Sequence, residues 1–472
     1  MAERAPTGVE GLDEVLSGGF PRGSLIVLAG NPGTGKTVFS MQFLVGGVER
    51  GEPGVYVSFA EGHGTLIENL SSHLGVDLAG FESEDKLRIL DYTAMREDSM
   101  SAILGGILGE VEALEAKRLV IDSFSAMAQA YKEAIDVRVI AHTILGKIVR
   151  QMGCTTIMIE EVPLGEARIG RGIEEFVADG LIILKADKLD GRVFRDLEIV
   201  KLRGMEPRER SIAFTLKGGF KALPPLRIKP IIEPSRFQPI SDPRDKISTG
   251  SEDLDAMLGG GIPKGSSTLI AIAEKISAWE YQVLIDPIAA NSIAQGRGVL
   301  YIPSIGVGGG DVVDSISSYG FDEDEIHRFM RICEFHGHSP GKPYFFTVEA
   351  KDISVDFKVY AEVAEELEES TGKPTLAVAG LDTLTAVYGE EACMKALSLG
   401  AARIFRGAAL YLANPSPEGP AEKFSPAMNI HLKLTREHGV LLLYGVKPRT
   451  SLYALDVDAS KGYPMPRLTP IV

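Results

Sequence analysis

The stretch that decides the fold is Gly30-Asn-Pro-Gly-Thr-Gly-Lys-Thr37, which fits the pattern G-x-x-x-x-G-K-[ST] without a substitution. The apolar run Ser24 to Ala29 precedes it and has the length of a buried strand. The run Val38 to Val48 follows it, with apolar residues at helical spacing. A strand, a glycine-rich loop and a helix in this order form a phosphate-binding loop. The stretch therefore predicts a site for a nucleoside triphosphate.

The residue types in this loop explain the expected chemistry. Gly33 and Gly35 let the backbone curl so that successive N–H groups point at phosphate oxygens. Lys36 supplies a positive charge to the β- and γ-phosphates, and the Thr37 hydroxyl suits Mg²⁺. We therefore expect ATP and Mg²⁺ as cofactors. The predicted nucleotide-binding residues are Asn31, Pro32, Gly33, Thr34, Gly35, Lys36, Thr37 and Val38.

Length and composition bound the class of protein. A chain of 472 residues is too long for one ordinary core, and 44% hydrophobic with 24% charged residues is typical of a soluble globular protein. The sequence has no apolar run long enough for a membrane span and no signal-peptide core, so a cytoplasmic protein without a membrane partner is expected. A net charge of −16 does not indicate a nucleic-acid surface.

An internal repeat divides the chain. Residues 7–24 (TGVEGLDEVLSGGFPRGS) and residues 249–266 (TGSEDLDAMLGGGIPKGS) share eleven identical positions at a constant offset of 242. In each half, strand-length apolar runs alternate with helical stretches, which predicts an α/β fold with a mostly parallel, helix-flanked sheet. We expect one domain over residues 1–224, a proline-rich linker over residues 225–246 and a second domain over residues 247–472.

Two carboxylates are candidates for the chemistry of the first half. Asp122 ends the apolar strand that begins at Arg118, where a Walker B carboxylate acts on Mg²⁺. A strand-ending aspartate can also be only a helix cap. Glu61 follows the strand Val55 to Phe59 and is the candidate general base, with a solvated loop carboxylate as the alternative. Thr37 and Asp122 are thus the predicted metal ligands.

Two cations near the end of the first half form a further candidate. Lys201 and Arg203 alternate along one predicted strand, so both side chains point to the same face. They are either a solvated patch or a pair that reaches a γ-phosphate. We predict that they take part in catalysis with Lys36 and Glu61.

Several blocks together resemble the KaiC-like branch of RecA-type ATPases. They are the TG-x-x-x-LD-x-x-L-x-GG-x-P-x-G entry motif, GNPGTGKT, VID-S, GIEEFVADG (172–180) and LEIVKLRG (197–204). The resemblance implies two RecA-like domains and assembly into a homo-oligomer, a hexameric ring with ATP between neighbours. It also implies that Lys201 and Arg203 are offered by one subunit to the γ-phosphate held by the next.

The chain departs from the family pattern at the predicted base. KaiC-like proteins usually carry paired glutamates at the end of the second strand, and the first is commonly assigned as the base. Here Ala60 takes that place and only Glu61 remains. Either Glu61 takes over the role or hydrolysis is slow.

The second half lacks the phosphate-binding loop. The offset of 242 places residues 272–279 (IAEKISAW) opposite Gly30 to Thr37, so both loop glycines, the lysine and the threonine are missing. We expect a degenerate domain that serves assembly or a regulatory partner protein. Autokinase activity, which the second domain of KaiC carries, is not expected.

Three functions remain open at this point. The first is a slowly hydrolysing regulatory ATPase ring. The second is a RadA- or RecA-related DNA-binding or repair accessory ATPase, for which residues 164–172 with Arg168 and Arg171 form the candidate loop. The third is a protein in which the nucleotide is purely structural.

Overall fold

The computed structural model describes residues 3–94, 100–129, 145–163, 178–206, 209–227, 230–335, 341–398, 406–414 and 421–472. The chain forms two compact units. The first unit comprises Met1–Pro225 together with Pro470–Val472, and the second unit comprises Leu226–Thr469.

The first unit is built on a mixed sheet that is mostly parallel. A short antiparallel pair comes first, β1 (Arg4–Ala5) with β2 (Phe20–Pro21). The strands of the sheet are β3 (Leu25–Gly30), β4 (Gly54–Ser58), β5 (Leu87–Asp91), β6 (Arg118–Asp122), β7 (Thr155–Glu161), β8 (Gly180–Leu189), β9 (Arg192–Leu202), β10 (Ser211–Thr215) and β11 (Lys221–Leu223). Their order is β11-β10-β9-β8-β3-β7-β6-β4-β5. The pairings from β8 through β3 to β5 are parallel, and β8 to β11 pair antiparallel.

Helices cover this sheet and bury its apolar strands. The described helices are α1 (Leu12–Val15), α2 (Lys36–Val48), α3 (His63–Leu74), α4 (Leu78–Ser83), α5 (Met100–Ala113) and α6 (Phe124–Gln129), followed by a π-helical segment at Leu145–Gln151. Every residue of β3, β4 and β6 is buried, as expected for parallel strands that are covered on both faces. Two apolar clusters result, one on each face of the sheet.

The second unit repeats this arrangement. It begins with an antiparallel pair, β12 (Lys246–Ile247) and β13 (Ile262–Pro263). The strands of its sheet are β14 (Ser266–Ile272), β15 (Val299–Ile302), β16 (Met330–Glu334), β17 (Phe345–Thr347), β18 (Leu376–Gly380), β19 (Ala408–Ala413), β20 (Ile430–Glu437), β21 (Val440–Lys447), β22 (Tyr453–Asp458) and β23 (Met465–Pro470). Their order is β17-β16-β15-β18-β19-β14-β20-β21-β22-β23.

The helices of the second unit follow its strands in an order similar to that of the first unit. They are α7 (Glu252–Met257), α8 (Ala278–Ala294), α9 (Gly309–Ser317), α10 (Glu323–Phe329), α11 (Ile353–Thr371), α12 (Leu381–Tyr388) and α13 (Glu390–Ser398), with a 3₁₀ helix at Ala421–Ala427. Helices α2 and α8, which follow the equivalent strands β3 and β14, start at Lys36 and Ala278, again 242 positions apart. The predicted α/β class with two mostly parallel, helix-flanked sheets is confirmed.

The repeated sequence has a local structural reason. In the first copy the Asp13 carboxylate accepts hydrogen bonds from the backbone N–H and the hydroxyl of Thr7, both at 2.7 Å. In the second copy Asp255 accepts from Thr249 in the same way, at 2.8 and 2.7 Å. The glycine after each threonine has a φ of +74° or +76°, and a Cβ there would lie 2.5 or 2.6 Å from a helix carbonyl. The motif thus fixes the turn that leads into each sheet.

Candidate nucleotide site

The predicted phosphate-binding loop lies between β3 and α2. Gly33 and Gly35 have φ angles of +77° and +97°, which only glycine adopts readily, and a Cβ on Gly35 would lie 2.6 Å from the Leu216 side chain. Asn31 ties the loop to the segment after β7 by donating from Nδ2 to the Val162 carbonyl at 2.9 Å. Strand, loop and helix follow one another as the sequence predicts.

Lys36 lies inside this loop and is only 6% exposed. Its ammonium donates to the carbonyls of Gly30 and Asn31, each at 2.9 Å, so the loop itself holds the charge in place. Burial lowers the pKa of Lys36, and the carboxylates of Glu161 and Asp122 oppose that shift. A cation held beside a helix N-terminus is suited to bind phosphate.

Asp122 meets Thr37 at the end of β6. The Thr37 hydroxyl donates to Asp122 Oδ2 at 3.0 Å, and the Tyr56 hydroxyl donates to the same oxygen. Burial raises the pKa of Asp122, whereas these two hydrogen bonds and the charge of Lys36 lower it. The two predicted metal ligands are therefore in contact, and Tyr56 is a third member of the cluster that sequence reasoning missed.

Glu61 is placed by a tight turn after β4. The Glu61 N–H donates to Ser58 Oγ at 3.1 Å, and that hydroxyl donates back to the Glu61 carbonyl. The Glu61 carboxylate adds to the burial and to the Asp122 charge that together raise the pKa of Tyr56. The Glu61 side chain thus lies near the Asp122 cluster, in a half-exposed position.

Glu161 is a second carboxylate at this site, and sequence reasoning did not single it out. It ends β7, where its Cα is the register partner of Gly30, the first residue of the loop. Its charge acts on Lys36 more strongly than that of Asp122 does. The signal that could have found it is its place at the carboxyl end of a strand beside β3, where parallel sheets collect their functional groups.

Lys201 and Arg203 lie at the opposite end of the sheet. The Lys201 ammonium donates to the Ala178 carbonyl at 2.7 Å, and Arg203 pairs with Asp179 at 3.3 Å. Asp179 in turn accepts from the backbone N–H of Leu25, the first residue of β3. The phosphate-binding loop starts five residues later, so roughly 16 Å of strand separates these cations from it. One chain does not bring them to its own loop.

Comparisons with known proteins agree with this geometry. The family model described as "ATPase: KaiC" matches residues 5–220. The circadian clock oscillator protein KaiC of Thermostichus vulcanus is 31% identical over 368 residues, which cover 75% of this chain and 68% of that protein. A UPF0273 protein of Methanopyrus kandleri is 34% identical over 219 residues, 43% of this chain and 84% of that protein. The chain belongs to the KaiC family of ATPases.

A solved structure is also similar to this KaiC-family chain. The crystal structure of a KaiC-like protein from Pyrococcus horikoshii has 34% sequence identity, and the match covers 48% of this chain and 100% of that one, with a TM-score of 0.43.

The second unit of this KaiC-family chain has a different structure at the place of the loop. Ser277 caps helix α8, and its backbone N–H and hydroxyl donate to Glu280 Oε2 at 2.9 and 2.7 Å. The other carboxylate oxygen of Glu280 pairs with Arg436 from β20. Burial alone would raise the pKa of Glu280, but these bonds outweigh it and hold the pKa below its usual value. A carboxylate of the chain itself thus neutralises this helix N-terminus.

Other predictions for this KaiC-family chain concern nucleic acid, metal clusters and membranes. The loop 164–172, with Arg168 and Arg171, lies outside the described residues. In the described part of the chain, no group of three or more His, Cys, Asp or Glu side chains is arranged to hold a metal ion. None of the helices described here has the length and hydropathy needed to cross a membrane.

Proposed function

We propose that this protein is a regulatory ATPase whose first unit binds and slowly hydrolyses ATP, while its second unit is a pseudo-ATPase domain. The difference between two equivalent helix starts carries this proposal. In the first unit the start of α2 presents a glycine-rich loop and the ammonium of Lys36. In the second unit the start of α8 is neutralised by Glu280. We assign residues 1–224 to the catalytic domain, 225–246 to a linker and 247–472 to the degenerate domain.

The first unit has the groups that phosphate binding needs. Backbone N–H groups of residues 33–35 and the N-terminus of α2 would contact the phosphates, and Lys36 would exchange its bonds to loop carbonyls for bonds to phosphate oxygens. A nucleotide with a purely structural role would make the same contacts. Only ATP hydrolysis distinguishes an ATPase from a protein in which the nucleotide is structural.

The residues present fit a magnesium ion. The Thr37 hydroxyl and the buried Asp122 carboxylate lie 3.0 Å apart, and hard oxygen ligands of this kind suit Mg²⁺. We propose that these two residues hold it, with Asp122 acting directly or through water. Bound there, Mg²⁺ would supply positive charge that neutralises part of the charge of the phosphates.

Glu61 is the proposed general base. The turn made with Ser58 holds it beside the Asp122 cluster, and its half-exposed side chain can reach a water molecule. The absence of a glutamate at Ala60 leaves a single carboxylate at this strand end, which supports slow turnover.

The position of Lys201 and Arg203 supports self-association. Both lie at the end of the sheet away from the loop of their own chain. We propose that they serve the γ-phosphate of a neighbouring chain in a head-to-tail hexameric ring, as the resemblance to KaiC-like proteins implies. The second unit would then provide assembly contacts or bind a regulatory protein.

Steady-state ATP hydrolysis and binding stoichiometry test this proposal. Wild type should turn over slowly and bind one nucleotide per chain. Glu61→Gln should bind without turnover, and Lys36→Ala should do neither. Light scattering on the same samples should show a larger assembly with ATP than without it.

Each contrary result has a defined meaning. A wild type that binds ATP and never hydrolyses it overturns the enzymatic part of the proposal and makes the nucleotide structural. A stoichiometry of two nucleotides per chain would overturn the proposal that the second unit does not bind nucleotide. Tight, salt-dependent binding to single-stranded DNA would favour the recombinase-related alternative instead.

A further inference from the structure

Arg195 on β9 contacts the phosphate-binding loop from outside. Its Nη1 donates to the Gly33 carbonyl at 3.1 Å. Arg195 is half-buried, and this partial burial lowers the pKa of its guanidinium. The Gly33 carbonyl and the Thr34 N–H belong to one planar peptide group, so they point in opposite directions. An arginine that binds the carbonyl therefore restricts the orientation of the whole peptide group, whose Thr34 N–H donates to the Asn31 carbonyl at 3.4 Å.

A distant segment of the chain holds Arg195 in turn. Residues Pro470–Val472 begin at the last residue of β23 and belong to the first unit. Arg195 Nε donates to the Val472 carbonyl at 2.6 Å, and the Thr215 hydroxyl donates to the Pro470 carbonyl at 2.7 Å. Between these bonds the Ile471 side chain is buried, with 3% of its surface exposed.

Arg195 thus connects the C-terminal segment to the phosphate-binding loop through two hydrogen bonds. Both ends of the Arg195 guanidinium are used, one on the segment and one on the loop, and a planar guanidinium that is bound at two edges has little rotational freedom. Loss of the 470–472 contact frees one edge and allows the side chain to leave the loop. In sequence, the segment begins where β23, the last strand of the second unit's sheet, ends.

We propose that Arg195 is a positioning residue for the phosphate-binding loop and that residues 470–472 set its orientation, which makes the nucleotide affinity of the first unit depend on that segment. This inference rests on the proposed binding of nucleotide at the loop. It identifies a regulatory connection that needs no movement of the residues that touch the phosphates.

Titration calorimetry of the full chain with MgADP tests the connection. Arg195→Ala should raise the dissociation constant about tenfold, the value of one charge-assisted hydrogen bond. Arg195→Lys should fall between this variant and wild type, because an ammonium can still donate to Gly33 but cannot bind at two edges. Thr215→Val and Ile471→Asp, which release the segment without touching the loop, should each weaken binding about threefold to tenfold.

The decisive sample is the double variant Arg195→Ala/Ile471→Asp. If the segment acts through Arg195, the double variant binds no more weakly than Arg195→Ala alone. Multiplied effects, or an Arg195→Ala protein with wild-type affinity, would overturn the inference. Glu198→Gln is the matched control, because Glu198 lies on the other face of β9 and pairs with Lys185. A wild type that binds no nucleotide would instead overturn the proposed function.

Discussion

The Thr37 hydroxyl donates a 3.0 Å hydrogen bond to a carboxylate oxygen of Asp122, which lies 85 positions further along the chain. The parallel sheet makes this contact possible, because β3 and β6 both end at the edge where α2 begins. Tyr56 donates to the same oxygen from β4. The bond joins the loop, the proposed metal site and the neighbouring strand into one cluster.

The Asp122→Asn variant should fold normally but lose most of its ATP hydrolysis. An amide oxygen can still accept from Thr37 and Tyr56, but it has no charge for Mg²⁺. We expect kcat for ATP hydrolysis to fall roughly a hundredfold or more. Hydrolysis assays over a range of Mg²⁺ concentrations measure this. Asp187→Asn, at an exposed position of β8, is the control and should match wild type. Normal turnover by Asp122→Asn would rule out the metal role.

Glu161→Gln distinguishes the two carboxylates near the loop. With Glu61 as the base, Glu161→Gln should retain kcat within about threefold, whereas Glu61→Gln should lose about a hundredfold or more. Removing a negative charge beside Lys36 should also lower KM for MgATP. Parallel hydrolysis assays of both variants measure these effects. Loss of turnover in Glu161→Gln alone would transfer the role of base to Glu161.

The second unit should become less stable as pH rises, because of Asp286. This carboxyl accepts a hydrogen bond from Ser315, and burial raises its pKa from 3.8 to about 7. Between about pH 4 and pH 7 the unfolded chain loses this proton first, so stability falls across that window and then levels off. Asp286→Asn should remove the slope and be more stable than wild type at pH 8, by up to roughly 4 kcal/mol.

Urea unfolding followed by tryptophan fluorescence measures this effect. The chain has one tryptophan, Trp279, and it lies on α8 in the second unit, as Asp286 does. Curves at pH 4.5 and pH 8 should differ in midpoint for wild type more than for Asp286→Asn. Equal shifts in the two proteins would show that other groups cause the pH dependence.

Arg118→Met should destabilise the first unit strongly. The Arg118 side chain is fully buried and donates from Nη1 to the Pro6 and Phe43 carbonyls at 2.8 and 2.6 Å. It also forms an ion pair with Glu52, which would keep only its second partner, Arg22. We expect a loss of about 3 to 5 kcal/mol.

Circular dichroism during denaturation, with and without MgADP to identify the first unit's transition, checks the loss. Lys117→Ala is the matched control, since the neighbouring Lys117 is exposed and should change stability by less than about 0.5 kcal/mol. Arg118→Lys should not restore stability, because an ammonium cannot reach all three partners. A mild effect of Arg118→Met would contradict a structural role for this pair.

Local patterns were enough to predict much of the fold. The glycine-rich loop, the strand that ends in Asp122 and the repeated threonine–aspartate turn depend on residues close together in sequence, so their spacing reports their geometry. The absence of a phosphate-binding loop from the second unit could be predicted from the sequence in the same way. The Ser277–Glu280 capping box is local as well, but the ion pair of Glu280 with Arg436, 156 positions away, could not be predicted from spacing along the chain.

The order and direction of the strands determine which distant residues come together at the site. Glu161 reaches the loop because β7 lies beside β3, and Lys201 misses it because β9 runs antiparallel to β8 and ends beside Leu25. Arg195 connects the loop to Val472, 277 positions away. The sequence alone therefore determined which short segments carry phosphate chemistry, because backbone geometry there is local. Only the tertiary structure decided which side chains share the site, because sheet order and strand direction set distances that spacing along the chain does not record.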